Sequence, residues 1–245
     1  MINELLLIIS IPLMFGGLLL AFKLFGRAGV AVWIAIATIT ANIEVMIVVR
    51  AFGLEMTLGN ILFASTFLAT DIMSERYGKE AAQRSVWIGI FASLTYLVIS
   101  QTWLMYIPTE SDWAMPHFRG LFTNTPRLII ASFLVYMAVQ MLDVKLYHRI
   151  WNFTERRFGD RSSYLWLRNN GATIVSQFLN ALLFNIFAFY GVYGAKTLTM
   201  IVISTFAIYV ITAICDTPFI YIARRLKPLP DGREENDGRT GGKRK

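Results

Sequence analysis

Charge is scarce in this sequence: only 16% of its 245 residues are Asp, Glu, Lys or Arg, against 56% hydrophobic. Cysteine is scarcer, with one residue, and histidine is limited to two. The lone Cys215 excludes a disulfide framework and a cysteine metal cluster and is expected as a small apolar filler. His-Glu-x-x-His, Gly-x-Ser-x-Gly and the phosphate-cradling Gly-x-x-x-x-Gly-Lys-Ser/Thr are all missing. Long polar segments are missing too. The longest basic connection between apolar runs is 144–169, too short for a soluble catalytic or nucleotide-binding domain.

What the sequence has is apolar runs, near 2–22, 29–49, 57–73, 85–107, 128–143, 170–192 and 197–223. Roughly 20 apolar residues of helix cross a hydrocarbon core of ~30 Å, so the fold class is an all-α polytopic membrane bundle of six to seven transmembrane helices. The runs 57–73 and 128–143 are short, and the six-span alternative leaves either 29–49 or the first segment peripheral. The first segment has no basic leader and no Ala-x-Ala-like site, which favours a retained span over a cleaved signal. Alternate threading puts 19 of the 23 Lys and Arg on one face and leaves Arg50, Arg119, Arg127 and Lys196 on the other. The positive-inside rule then predicts an inner (cytoplasmic) membrane protein with its amino terminus outside and its carboxyl terminus in the cytoplasm. Residues 1–226 read as the transmembrane domain, and 227–245, rich in Pro, Gly and charge of both signs, as a disordered cytoplasmic tail. The net charge of +7 sits in short loops beside spans, where orientation and anionic headgroups account for it without nucleic acid. The connection 108–127 lacks a clear period, carries three prolines and Trp113, and is expected at the interface as a lid or a plain link.

Polar side chains inside spans are costly, ~2.5 to 3.5 kcal/mol for Asp at a helix centre, and face the bundle interior. Asn42 and Glu44 fall in the outer half of the second span, Asn60 and Asp71 at opposite ends of the third, and Asp216 in the inner half of the seventh. Gln177 and Asn180 are one turn apart in the sixth, which also carries Ser176 and Asn185. Arg127, Ser132, Tyr136, Gln140 and Asp143 recur at steps that keep them on one face of the fifth. Ser132, Ser176 and Asn185 serve equally well as ties between helices. Glu75 and Arg76, with Arg127 and Asp143, are expected in structural or gating pairs near the boundaries. His117 and His148 fall on opposite faces and cannot share a metal, so neither metal nor cofactor is expected. An aspartyl pair, Asp71 or Asp143 with Asp216, leaves an intramembrane hydrolase as a lower alternative, requiring carboxylates at ~3 Å.

The run GNILFASTFLATDIMSERYGKEAAQRS, Gly59 to Ser85, resembles the signature of the queuosine precursor transporters of the vitamin uptake transporter family, where Phe-Leu-x-Thr-Asp leads into Glu-x-Tyr-Gly-Lys. The runs TPRLIIASFLVYMAVQMLDVKLY, SQFLNALLFNIFAFYG and DTPFIYIARR are similar to three later blocks of that family, in its order. The resemblance implies import of the 7-cyano and 7-aminomethyl 7-deazaguanine precursors. It also implies a bundle similar to the substrate-binding components of energy-coupling-factor transporters. Dependence on a separate ATP-driven module is the alternative mode. Such a base offers N1–H and 2-amino donors, an O6 acceptor and a flat ring. Glu44 or Asp216 would take the donors, Gln140, Gln177 or Asn180 the carbonyl, and Phe67 or Tyr136 the ring. Asn42, Asn60 and Asp71 complete the expected substrate site. Many relatives carry Asp where this chain has Asn180, which bears on the choice between precursors, and family members usually have six spans, which makes the first segment an addition. Ala31 and Ala35 form a small-x-x-x-small pair that suits a neighbouring helix, a pattern too common to decide an interface, and a homodimer is kept open as an expectation.

Overall fold

A computed structural model describes residues 2–123, 125–159 and 163–229. Arg161 and the expected tail from residue 230 onward lie outside them. Among the described residues there are seven helices and one two-stranded sheet: α1 (Ile2–Glu44), β1 (Val48–Ala51), β2 (Leu54–Thr57), α2 (Asn60–Tyr77), α3 (Lys79–Trp103), α4 (Met115–Phe122), α5 (Thr125–Phe158), α6 (Leu165–Phe189) and α7 (Ala195–Arg225). The architecture is the all-α membrane bundle, and α1, α3, α5, α6 and α7 are each long and apolar enough to cross a bilayer.

α1 is bent back on itself. Its 43 residues would run about 64 Å if straight, twice the hydrocarbon thickness. Gly26 breaks the helix with φ 54° and ψ −131°, angles open to glycine and strained for other residues. The two limbs, 2–25 and 27–44, then pack antiparallel. A Cβ on Gly17 would stand 2.8 Å from the Trp33 ring, and one on Gly29 would collide with the Ala21 carbonyl. α1 therefore presents two limbs, each near the length that crosses a bilayer. The second limb stops at Glu44, short of residue 49, because VVRAFGLEMT pairs with itself as a hairpin, Val48 opposite Thr57 and Ala51 opposite Leu54. Phe52 and Gly53 both have positive φ, as a two-residue type I′ turn requires. Asn3 Nδ2 donates to the Arg50 carbonyl at 2.9 Å and the Phe52 amide donates to Glu4 Oε1 at 3.2 Å, fastening the start of the chain to this hairpin.

α2 is the innermost helix. It packs against both limbs of α1 and against α3, α5, α6 and α7, and every residue from Ile72 to Ser74 and most of those above it are buried. Enclosure by protein explains its polar composition, since Asn60, Ser65, Thr66, Thr70, Asp71 and Ser74 never meet lipid. The main apolar core lies between this helix and α1, with Phe15, Leu18, Phe22, Leu68 and Ile72 buried together.

Two expected connections are partly helical. α5 runs 34 residues, to Phe158, about 51 Å, so much of the 144–169 stretch is a helix that leaves the bilayer. In the 108–127 connection, Asp112 Oδ2 accepts from the Met115 amide at 2.8 Å to start α4. Phe118 and Phe122 then pack edge-on to Trp103 at 5.7 and 5.8 Å, while Trp113 stays exposed.

Candidate functional site

The side chains that face the middle of the bundle form a column on α2, α5, α6 and α7, in four levels. At the top, nearest the β-hairpin, is a cavity of about 30 Å³ walled by Asn42, Asn60, Phe63, Ser132, Asn180 and Tyr209, among others. Each amide is anchored through its nitrogen: Asn42 to the Thr38 carbonyl at 2.8 Å, Asn60 to the Thr57 carbonyl at 3.1 Å and Asn180 to the Tyr209 hydroxyl at 3.0 Å. An amide held this way still offers its carbonyl oxygen as an acceptor. Phe63 is the aromatic hub, 5.7 Å from Phe67, 5.8 Å from Tyr136 and 6.3 Å from Tyr209 between ring centroids.

One level down, Gln140 Nε2 donates to Thr66 Oγ1 at 2.8 Å and its Oε1 accepts from Thr70 at 3.3 Å. That satisfies both ends of the amide and ties α5 to α2. Gln177 is its opposite: 1% exposed, with neither Oε1 nor Nε2 bonded. The Tyr136 hydroxyl is also buried without a partner, and it lies where a Cβ on Gly89 would be 2.6 Å away.

The third level is acidic. Asp71 from α2, Asp143 from α5 and Asp216 from α7 are each at most 1% exposed, and their charges act on one another. Asp71 Oδ2 accepts from Thr173 at 3.3 Å and Asp216 Oδ1 from Asn169 at 2.7 Å, both donors on α6. Neither oxygen of Asp143 makes a hydrogen bond of good geometry, although Ser176 sits against it. Among the described residues no group of three or more His, Cys, Asp or Glu is arranged to hold a metal ion.

The lowest level is a buried ion pair. Arg168 Nη2 meets Glu75 Oε2 at 2.8 Å and Oε1 at 2.9 Å, while Nε reaches Oε2 at 3.2 Å. The Tyr147 hydroxyl donates to the same carboxylate at 3.0 Å and Arg224 lies 3.5 Å from it. The guanidinium also covers the Trp151 ring at 4.3 Å. Arg168 is fully buried, so the network plugs the column at this end.

The structure gathers Asn42, Asn60 and Asn180 at the cavity, places Phe67, Tyr136, Gln140 and Gln177 below them, and sets Asp71 and Asp216 deeper still with Asp143. Two expectations need correction. Glu44 does not fall within the outer half of a span running to 49; it ends α1 because the hairpin follows, and it borders a second, mostly apolar hollow of about 320 Å³ with Leu6, Ser10 and Leu13. Arg168 is not a loop residue, because α6 begins at Leu165. Arg76 reaches the Arg224 carbonyl at 3.0 Å and stacks over Phe22, while Arg127 ties α5 to the Phe187 and Tyr190 carbonyls at 3.0 and 2.6 Å. Tyr209, Asn169, Thr173, Tyr147 and Arg168 were not anticipated. Tyr209 stands seven residues before Asp216, and Asn169, Thr173, Ser176 and Asn180 recur at steps of four, three and four; the heptad spacing was the available signal.

A helical membrane bundle with a polar column through its centre has the build of a small-solute transporter. Residues 57–223 match the family described as "Putative vitamin uptake transporter", and the chain belongs to that family. It is 37% identical over 210 residues to a Bacillus subtilis (strain 168) protein named "Probable queuosine precursor transporter", covering 86% of this chain and 90% of that one. The Escherichia coli (strain K12) "Queuosine precursor transporter" is 30% identical over 153 residues, 62% of this chain and 63% of the relative. A Haemophilus influenzae relative, also named "Probable queuosine precursor transporter", is 28% identical over 112 residues, 46% of each chain. No solved structure matches.

Proposed function

We propose that this chain imports queuosine precursors, the 7-cyano- and 7-aminomethyl-7-deazaguanine bases, across the inner membrane into the cytoplasm. The observation that carries the reading is the cavity in which three anchored amides, a tyrosine hydroxyl and the Phe63 ring converge at the head of the polar column. A flat base needs that combination: acceptors for its N1–H and 2-amino donors, a donor for O6 and a ring to lie against. Asn42, Asn60 and Asn180 read the edge and Phe63, Tyr136 and Tyr209 contact the ring, with Gln177 and then Asp71 and Asp216 met on the way inward. At about 30 Å³ the cavity is far below the several hundred Å³ of an ordinary small-molecule site, so helices must part to admit a bicyclic base. The family membership and the relatives' names support the substrate class.

The end that carries the Lys23–Arg27 turn, the Glu75–Arg168 plug and the carboxyl-terminal side of α7 is assigned to the cytoplasm, because 19 of the 23 Lys and Arg belong there by threading. The test is restoration of queuosine in the tRNA of a strain that neither makes nor imports its precursors, given this gene and each base at nanomolar concentration. Restoration is expected with the chain expressed alone. Restoration only when an ATP-driven module is co-expressed would make it a binding component, and failure with both, with the protein shown in the membrane, would overturn the substrate.

A further inference from the structure

The cavity at the head of the column has a side lobe. A hollow of about 10 Å³ shares Asn42, Phe63 and Ser132 with it and extends between the second limb of α1, α3 and α5 to Thr38, Ser93 and Tyr136. The lobe runs toward α3, whereas Asn180 and Tyr209 bound the larger cavity from α6 and α7. Tyr136 is the polar group left open in it. The residue is 3% exposed and its hydroxyl has no partner, while glycine at position 89 of α3 makes room for that hydroxyl, since a Cβ there would stand 2.6 Å from it. Thr38 already donates its proton to the Ile34 carbonyl at 2.9 Å. A buried hydroxyl without a partner is costly, and an acceptor brought into the lobe would recover that cost.

Charge is what the two hollows lack. Among the described residues no Asp, Glu, Lys or Arg lines either of them. Glu44 lines the larger apolar hollow instead. Asp71 stands eight residues past Phe63 on α2 and Asp143 seven past Tyr136 on α5, about 12 and 10 Å along their helices.

We propose that the side lobe receives the substituent at position 7 of the base and that its neutrality selects the 7-cyano base over the 7-aminomethyl one. The proposal rests on the transporter reading above and deepens it. The substituent leaves the five-membered ring, at the end of the base remote from the 2-amino group, so a base whose pyrimidine edge meets the amides directs it into another part of the site. Size does not separate the two substituents, because each has two heavy atoms. Charge does. The nitrile is neutral, and its nitrogen accepts the hydrogen bond that the Tyr136 hydroxyl has to give. The aminomethyl group is a primary amine, protonated at neutral pH as a lysine is. Enclosed by Phe63, Ile90 and Phe133, it loses its water and gains no carboxylate in return. A site that leaves the competing ligand's charge unpaired discriminates against that ligand without needing a tighter grip on the favoured one.

The test is counterflow of labelled 7-cyano-7-deazaguanine by the purified full chain in proteoliposomes, with unlabelled 7-cyano-, 7-aminomethyl- and unsubstituted 7-deazaguanine as competitors. The cyano base is expected to compete at a concentration about tenfold below that of the aminomethyl base, or lower still. Tyr136→Phe should cut the advantage of the cyano over the unsubstituted base about tenfold, one lost hydrogen bond. Ser93→Asp, which puts a carboxylate into the lobe, should move the ratio toward the aminomethyl base by about the same factor. An aminomethyl base that competes as well as the cyano base in the wild-type protein overturns the proposal and leaves the transporter reading intact, and so does a pair of variants whose preferences are those of the wild type. Where a variant does not fold, the wild-type ratio decides, and the stabilisation of the purified wild-type chain against melting by each base gives that ratio independently of transport. A chain that neither moves nor is stabilised by any of the three bases removes the substrate reading, and the selectivity with it.

Discussion

Gln140 and Gln177 are the same side chain on adjacent helices, and their surroundings separate structure from function. Gln140 spends both ends on Thr66 and Thr70, so Gln140→Leu should lower thermal stability in detergent by roughly 1 kcal/mol, the size of an interhelical hydrogen bond in a membrane protein, and leave uptake near wild type. Asn180→Ala removes an amide from the cavity and should raise the apparent KM for the base about tenfold, one lost hydrogen bond at ~1.4 kcal/mol, and, by breaking the bond to Tyr209, should also lower thermal stability by roughly 1 kcal/mol. The Glu75–Arg168 pair behaves differently again. Glu75→Ala strands a buried guanidinium and should cost about 3–5 kcal/mol, whereas Glu75→Leu with Arg168→Met should recover most of that stability while leaving the column without its charged plug. Melting of the three variants side by side checks this. The polar residues of the column were legible in the sequence because intramembrane Asn, Gln and Asp are rare and recur at helical spacing. Arg168 and Glu44 were not, because depth was counted from the ends of hydrophobic runs. A run's end marks where apolar residues stop; α6 begins with Leu165 and a buried Arg, and α1 ends where a hairpin takes over the backbone hydrogen bonds.

At the scale of elements, the antiparallel limbs of α1 make the sharpest prediction. Cysteines replacing Gly17 and Trp33, in a Cys215→Ala background, should be joined by a short bifunctional thiol reagent, since a Cβ at 17 lies against the tip of the Trp33 ring. In a straight helix the two positions would be about 24 Å apart and would not. A division of this stretch near Lys23–Arg27 was readable from length and charge; the sharpness of the bend was not, because it turns on a single Gly26 in a glycine-containing stretch. The hairpin at 48–57 was hidden for a related reason. Its residues are apolar enough to extend a span, and only the Phe-Gly pair, which adopts positive φ at both positions, marks the reversal. α5 was underestimated because its lower half carries Lys145, Arg149, Arg156 and Arg157, which ends a hydropathy window without ending a helix.

For the whole molecule, the two ends are held by different devices. At one, Leu229 donates to the Lys23 carbonyl at 2.8 Å and Arg76 to the Arg224 carbonyl at 3.0 Å, closing the turns over the plug. At the other, the hairpin caps the second limb of α1, and Arg127 ties the start of α5 to the Phe187 and Tyr190 carbonyls at the end of α6. Impermeant thiol reagents added to intact cells of a Cys215→Ala background should label Trp113→Cys, and Arg149→Cys only after lysis; the reverse pattern would invert the orientation. α2 carries a last consequence, one for how the chain is made. A helix with Asn60, Thr66, Thr70 and Asp71 facing inward has little reason to leave the translocon for lipid on its own, given ~2.5 to 3.5 kcal/mol for a central Asp. Its insertion has to be co-operative, retained until the limbs of α1 and the later helices can wrap it. The most enclosed segment is thus the one that depends most on its neighbours during synthesis. Slowing translation after α3 or deleting α7 should therefore send the chain to degradation with α2 uninserted, a defect that would look like loss of transport while the path residues remain intact.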